Sequence, residues 1–124
     1  MRLPLAAAAG LIACAATVTA GQTPAPGDVG KAPEQYKSVC LPCHMAEGNA
    51  ALEPMNLADG KWRHGTSVKE IAKVISEGVP GTAMMPFKTR FSEEEIQALA
   101  RYVRQFDKTL KPEPAPKAPI SGSR

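Results

Sequence analysis

Five residues, Cys40-Leu41-Pro42-Cys43-His44, constrain this chain more than any other stretch. They form C-x-x-C-H, the attachment pattern of a c-type haem. The spacing has a chemical reason. Two thiols three positions apart each add across one vinyl group of a single porphyrin, and the adjoining imidazole then lies beneath the metal. Ligation by His on one side and Met on the other is common in haem electron carriers. C-x-x-C alone also suits a redox dithiol or half of a zinc site. His44 narrows the reading to haem, and beyond Cys40 and Cys43 the only cysteine is Cys14, far upstream. The expectation is a fold built around one covalently bound haem c.

Length and composition agree with that expectation. The chain has 124 residues, enough for one small domain. It has one Trp, two Tyr and three Phe, so a core made only of its own side chains is marginal. A porphyrin adds the apolar surface that is in short supply. The formal charge of +3 falls to +2 if Arg2 is removed with a leader. There is no dense basic run and no aromatic–basic interleaving, which argues against nucleic acid as a partner. A mildly positive face suits steering toward an acidic redox partner.

The N-terminus reads as an export signal. Arg2 precedes an apolar, Ala-rich run over residues 3–18, and Val18-Thr19-Ala20 offers small residues for cleavage. Residues 1–20 are then a signal peptide, too short and too weakly hydrophobic for a membrane span. Export places the domain in a bacterial periplasm, outside the cytoplasm, where c-type haem is attached. A second reading stays open: Leu11-Ile12-Ala13-Cys14 resembles a lipobox. Residues 1–13 would then be the signal, and a lipidated Cys14 would anchor the chain to a membrane.

Residues 21–31, rich in Gly, Pro, Ala and Thr, read as a flexible arm. Residues 109–124 carry Pro112, Pro114, Pro116 and Pro119 and read as a disordered tail. The domain lies between, over residues 32–108. Its first helix is expected from Pro33 to Leu41, with Tyr36, Val39 and Cys40 on one face. The second opens on the capping box Ser67-Val68-Lys69-Glu70 and stops at Gly78. The third opens on a second box, Ser92-Glu93-Glu94-Glu95, with Ile96, Leu99, Ala100, Val103 and Phe106 as its apolar stripe. No segment alternates as a strand does. The expectation is all-α, three main helices with long loops over residues 45–66 and 79–91, wrapped around the haem.

The face of the iron opposite His44 needs a ligand or a vacancy. Met45 adjoins His44 and is on the wrong side; Met55, Met84 and Met85 remain, with His64 as a bis-His alternative. A thioether suits ferrous iron and raises the potential relative to a second His. Met84 and Met85 are adjacent in Gly81-Thr82-Ala83-Met84-Met85-Pro86-Phe87, and periodicity does not separate them. Trp62 and Arg63 are candidates for bonding the haem propionates, or Trp62 for packing on the porphyrin edge.

Residues 36–106 resemble a class I c-type cytochrome, in particular the short-chain branch related to the haem domains of cbb3-type oxidases. The resemblance rests on Cys40-x-x-Cys43-His44, Gly78 after the second helix, Gly81-Thr82-Ala83-Met84, and the final helix with Tyr102 and Val103. It implies a small cytochrome c fold, thioethers at Cys40 and Cys43, and His44 as proximal iron ligand. It also implies that Met84, three residues before Phe87, is the distal ligand; a competing rule, Met directly before Pro, points to Met85. Pro54 and Leu57 resemble a Pro-x-x-Leu whose Pro carbonyl accepts the proximal His N–H. Tyr36 and Tyr102 resemble an aromatic contact between terminal helices, while Ala32 stands where the family has Gly. The function implied is a monomeric one-electron carrier and not an enzyme, meeting its donor and acceptor proteins in small, brief contacts. Two alternatives are a membrane-tethered subunit of an oxidase or dehydrogenase, and an open-site haem enzyme or gas sensor, against which the paired Met residues argue.

Overall fold

The computed structural model describes residues 29–114. The leader, Cys14, the arm as far as residue 28 and the tail from residue 115 lie outside the described residues. Every regular element among the described residues is helical, as the lack of strand alternation predicts. No helix among them is long and apolar enough to cross a membrane.

The haem motif sits at the end of a helix that is longer than its periodicity suggests. Helix α1 (Ala32–Gln35) carries Pro33 in its first turn, passes through a π-helical turn at Tyr36–Cys40, and continues as α2 (Leu41–His44). The sequence reading ended this helix at Leu41; the structure carries it to His44. Pro42 accounts for the bulge. Proline has no N–H for the carbonyl four residues back, and its ring crowds that carbonyl. The backbone answers by widening one turn instead of stopping, with the Leu41 N–H reaching the Tyr36 carbonyl five residues back. Met45 then ends α2 at φ 60°, ψ 176°.

Helices α3 (Val68–Glu77) and α4 (Glu93–Arg104) form the rest of the frame. Both expected capping boxes are present. Ser67 accepts from the Glu70 N–H and Ser92 from the Glu95 N–H, and each Glu reaches back to its cap residue. Glu93, Glu94 and Glu95 lie at the positive end of the α4 dipole, with Arg101 and Arg104 near its negative end. The buried stripe Val68, Ile71, Ala72 and Ile75 joins Ile96, Leu99, Ala100 and Val103 in one core. Helix α1 also packs on α4, where Ala32 is fully buried. Its small side chain fills the position where the resembled family has Gly. The Tyr36 ring meets Tyr102 edge-on at 5.6 Å and Phe106 at 5.2 Å. Phe106, expected on the α4 stripe, lies just past the end of that helix.

The start of the tail departs from expectation. Residues 109–114 were expected to be disordered with the rest of it, yet they lie against the domain. The Glu113 carboxylate accepts the Val68 N–H at 3.0 and 3.1 Å, and it lies 3.5 Å from the Arg104 guanidinium. Arg104 also donates to the Thr66 and Lys111 carbonyls, at 2.6 Å each. The first N–H groups of a helix have no partner within the helix, and an anion is favoured there. Glu113 meets that need for α3. Proline content opposes helix formation, but it does not prevent an extended strap from docking.

Candidate haem site

Cys40 closes the π-helical turn and Cys43 lies on the short helix that follows. Both thiols are free, and no disulfide joins them. Cys40 is half-buried beside the core, and burial pushes its thiol up to about 11, with Cys43 adding to the rise and Arg90 opposing it. Cys43 is exposed.

His44 is half-buried, and its Nδ1 lies 2.7 Å from the Met55 carbonyl oxygen. A carbonyl only accepts, so Nδ1 carries the proton and Nε2 is the ring nitrogen that remains for a metal. The sequence reading placed this acceptor at Pro54. The structure moves it one residue on, to Met55, and leaves the Pro54 side chain exposed. The cause is the single turn of 3₁₀ helix at Glu53–Met55, with Pro54 in its first turn, which decides which carbonyl the loop presents. The loop is fixed by its own bonds. Asn56 donates from Nδ2 to the Ala50 carbonyl at 2.9 Å and accepts the Ala58 N–H at 2.8 Å. The Leu57 N–H donates to the Gly48 carbonyl at 2.8 Å.

The loop after α3 treats its two methionines differently. Met84 is half-buried and packs on the core to which Cys40 also packs, whereas Met85 is 62% exposed. The loop is bolted to the end of α3. The Val79 N–H donates to the Met84 carbonyl at 2.9 Å, and the Thr82 hydroxyl donates to the Val79 carbonyl while accepting the Met84 N–H. The Phe87 N–H donates to the Ile75 carbonyl at 3.0 Å, and the Phe87 ring is buried. Gly78 lets the chain turn back at this point, with φ +69° and the Met84 carbonyl oxygen where a Cβ would otherwise crowd it.

Trp62 and Arg63 each meet a carboxylate of the chain. The Trp62 indole N–H donates to Asp107 Oδ2 at 2.8 Å. Arg63 lies 3.7 Å from Glu53 on the surface. Asp107 is 2% exposed. Burial works against its charge, but hydrogen bonds from Thr109 and Trp62, and the Arg104 charge, outweigh it and hold the carboxyl below its ordinary range. Nothing in the sequence spacing marks this acid, 45 residues from Trp62. His64, the alternative ligand, is exposed.

The donor set fits a haem c. It offers two free thiols on one helix that contains a π-helical turn, an imidazole whose Nδ1 is held by a carbonyl, and a half-buried thioether on the same apolar core. Comparisons with known proteins agree. Residues 27–103 match the family described as cytochrome c oxidase, cbb3-type, subunit III. Among solved structures, the c-type cytochrome KustC0563 is 38% identical, over 60% of this chain and 95% of that one, with a TM-score of 0.51. Cytochrome c6 from the diatom Phaeodactylum tricornutum is 31% identical over 63% of this chain and 92% of its own, with a TM-score of 0.53. Cytochrome c6C from Synechococcus is 29% identical over 64% and 98%, with a TM-score of 0.54. A comparison with curated proteins finds no match. A family match over more than half of the chain, on a helical fold shared with small cytochromes, makes this chain a member of the cbb3-type subunit III family and a monohaem class I c-type cytochrome with one covalently bound haem c.

Proposed function

We propose that the chain carries single electrons between larger protein complexes, with the haem tethered by Cys40 and Cys43 and its iron held by His44 and Met84. The observation that carries this reading is the 2.7 Å bond from His44 Nδ1 to the Met55 carbonyl. It fixes the tautomer and ring orientation a proximal ligand needs, and it raises the basicity of Nε2. When bound, the haem supplies a one-electron couple between ferric and ferrous iron. The protein's residues do the rest. Two thioethers hold the ring in one register. The loop bonds at Val79 and Thr82 hold the Met84 backbone while Met85 faces solvent. Partly buried Val39, Leu57 and Trp62 supply apolar surface beside the core. His44 and Met84 would hold the iron from backbone fixed by these bonds, so little of the chain would have to rearrange when an electron passes.

The test is optical. Met84→Ala is expected to lose the weak sulfur–iron band at the red end of the ferric spectrum and to gain CO binding, while Met85→Ala keeps the band. The reverse result moves the ligand to Met85. Rapid CO binding by the unmutated protein contradicts the carrier reading and favours an open-site enzyme or sensor.

We also propose export to the periplasm, since residues 1–20 have the pattern of a signal peptide. A tethered form is the second reading. It is favoured by the lipobox-like residues before Cys14 and by membership of a family described as an oxidase subunit. The intact mass of the mature protein separates the two. A start at Gly21 indicates the free carrier, and a lipidated Cys14 indicates the tethered subunit.

A further inference from the structure

Tyr36 belongs to the core by its ring and to the haem motif by its hydroxyl. The ring is 2% exposed and is held edge-on between Tyr102 and Phe106 of the C-terminal helical region. The hydroxyl donates to the Met45 carbonyl at 2.7 Å. Met45 directly follows His44, and its φ of 60° with ψ 176° lies in a backbone region that is essentially glycine's own. A methionine stays there only where its surroundings over-determine it. Those surroundings are identifiable. The Met45 carbonyl takes the Tyr36 hydroxyl and also the Gly48 N–H at 3.2 Å. Gly48 is wedged so tightly that an added Cβ would lie 2.7 Å from the Leu57 side chain and 2.8 Å from Phe106. Leu57 follows Met55 by two residues and is bonded to Gly48. The turn that fixes the end of the His44 helix and the loop that holds the His44 ring therefore close on one another, with the Tyr36 hydroxyl as the side-chain bond at their junction.

We infer that Tyr36 is a positioning residue for the haem iron: its hydroxyl holds Met45 in the strained conformation that keeps His44 Nδ1 on the Met55 carbonyl. The inference rests on His44 being the proximal ligand. Without the hydroxyl, Met45 relaxes toward negative φ, the His44 end of α2 shifts, and the bond to Met55 weakens. A less basic Nε2 stabilises ferric iron less, so the midpoint potential rises. The burial that pushes the Tyr36 phenol up to about 12 keeps the donor protonated, in keeping with this role.

The experiment compares the haem-loaded protein with Tyr36→Phe and Tyr102→Phe. Each is followed by its midpoint potential and by deuterium exchange of the His44 ring N–H in NMR. Tyr36→Phe is expected to shift the ferric/ferrous ratio at fixed potential toward ferrous by about threefold, or about 28 mV at 59 mV per tenfold. Exchange of the ring proton is expected to speed up about tenfold. Tyr102→Phe keeps both values, because it removes a hydroxyl from the same aromatic cluster without touching Met45. Unchanged potential and exchange in Tyr36→Phe overturn the inference, as does an equal change in Tyr102→Phe. A haem-loaded wild-type protein whose His44 ring proton shows no haem-induced shift overturns the ligand assignment itself, and it does so before either variant is compared.

Discussion

At Gly78 an added Cβ would lie 2.5 Å from the Met84 carbonyl and 2.8 Å from the Met85 carbonyl carbon, at a φ of +69°. The contact is with backbone, so no side chain can swing away to relieve it. Gly78→Ala is therefore expected to destabilise the fold by about 2 kcal/mol from positive φ alone and to displace the Met84 loop. Thermal unfolding reads the first effect, and weakening of the sulfur–iron band reads the second. Asp107 gives a pH dependence at the same scale. Its carboxyl is held below its ordinary value in the folded protein, so the stabilisation it gives is present above the unfolded carboxylate value, about 3.9. That stabilisation is lost as pH falls through the lower folded value. Tm is expected to fall on acidification below about pH 4. Asp107→Asn is expected to be less stable at pH 7 and to respond less to acid in the same titration.

Helices α3 and α4 were legible from sequence because each carries its own start signal and a stripe at 3.6-residue spacing. Ser92→Ala removes the acceptor for the Glu95 N–H and is expected to cost about 1 kcal/mol. Leu99→Ala, at 1% exposure between α3 and α4, is expected to cost about 2–5 kcal/mol because the rigid helices cannot collapse on the gap. Urea denaturation separates these two magnitudes. The first helix was less legible. Its end lies beyond Leu41, and the pairing of the Leu41 N–H with the Tyr36 carbonyl shows that the helix passes Pro42 through a π-helical turn. The strap at Glu113 was illegible. Pro-rich composition describes local stiffness and says nothing about a distant helix N-terminus that needs an acceptor.

At the scale of the whole molecule, the core of the described residues is built from few large side chains. Tyr36 and Leu99 are its largest fully buried side chains, while Leu52 and Met85 stay more than 60% exposed among the described residues. A group that binds only the folded state stabilises it by mass action, so haem is expected to add to the stability of such a domain. Protein prepared without haem is expected to lose most of its far-ultraviolet helical signal. Trp62, now bonded to Asp107, is then expected to become open to iodide quenching. Retention of both signals in the haem-free chain would show that the helices are self-sufficient.

The sequence by itself determined the chemistry and the frame. Cys40, Cys43 and His44 lie within five residues, so the expectation that they act together follows from covalent spacing. The capping boxes at Ser67 and Ser92 act within a single turn, and so they too can be read locally. Contacts across many residues needed the tertiary structure. It decided that Met55 and not Pro54 holds the His44 ring, that Met84 turns inward while Met85 faces solvent, and that Trp62 meets Asp107. Each of these depends on how a loop backbone is turned by partners distant in sequence. A one-residue change in that turn exchanges one carbonyl or one side chain for its neighbour, and no local pattern records it.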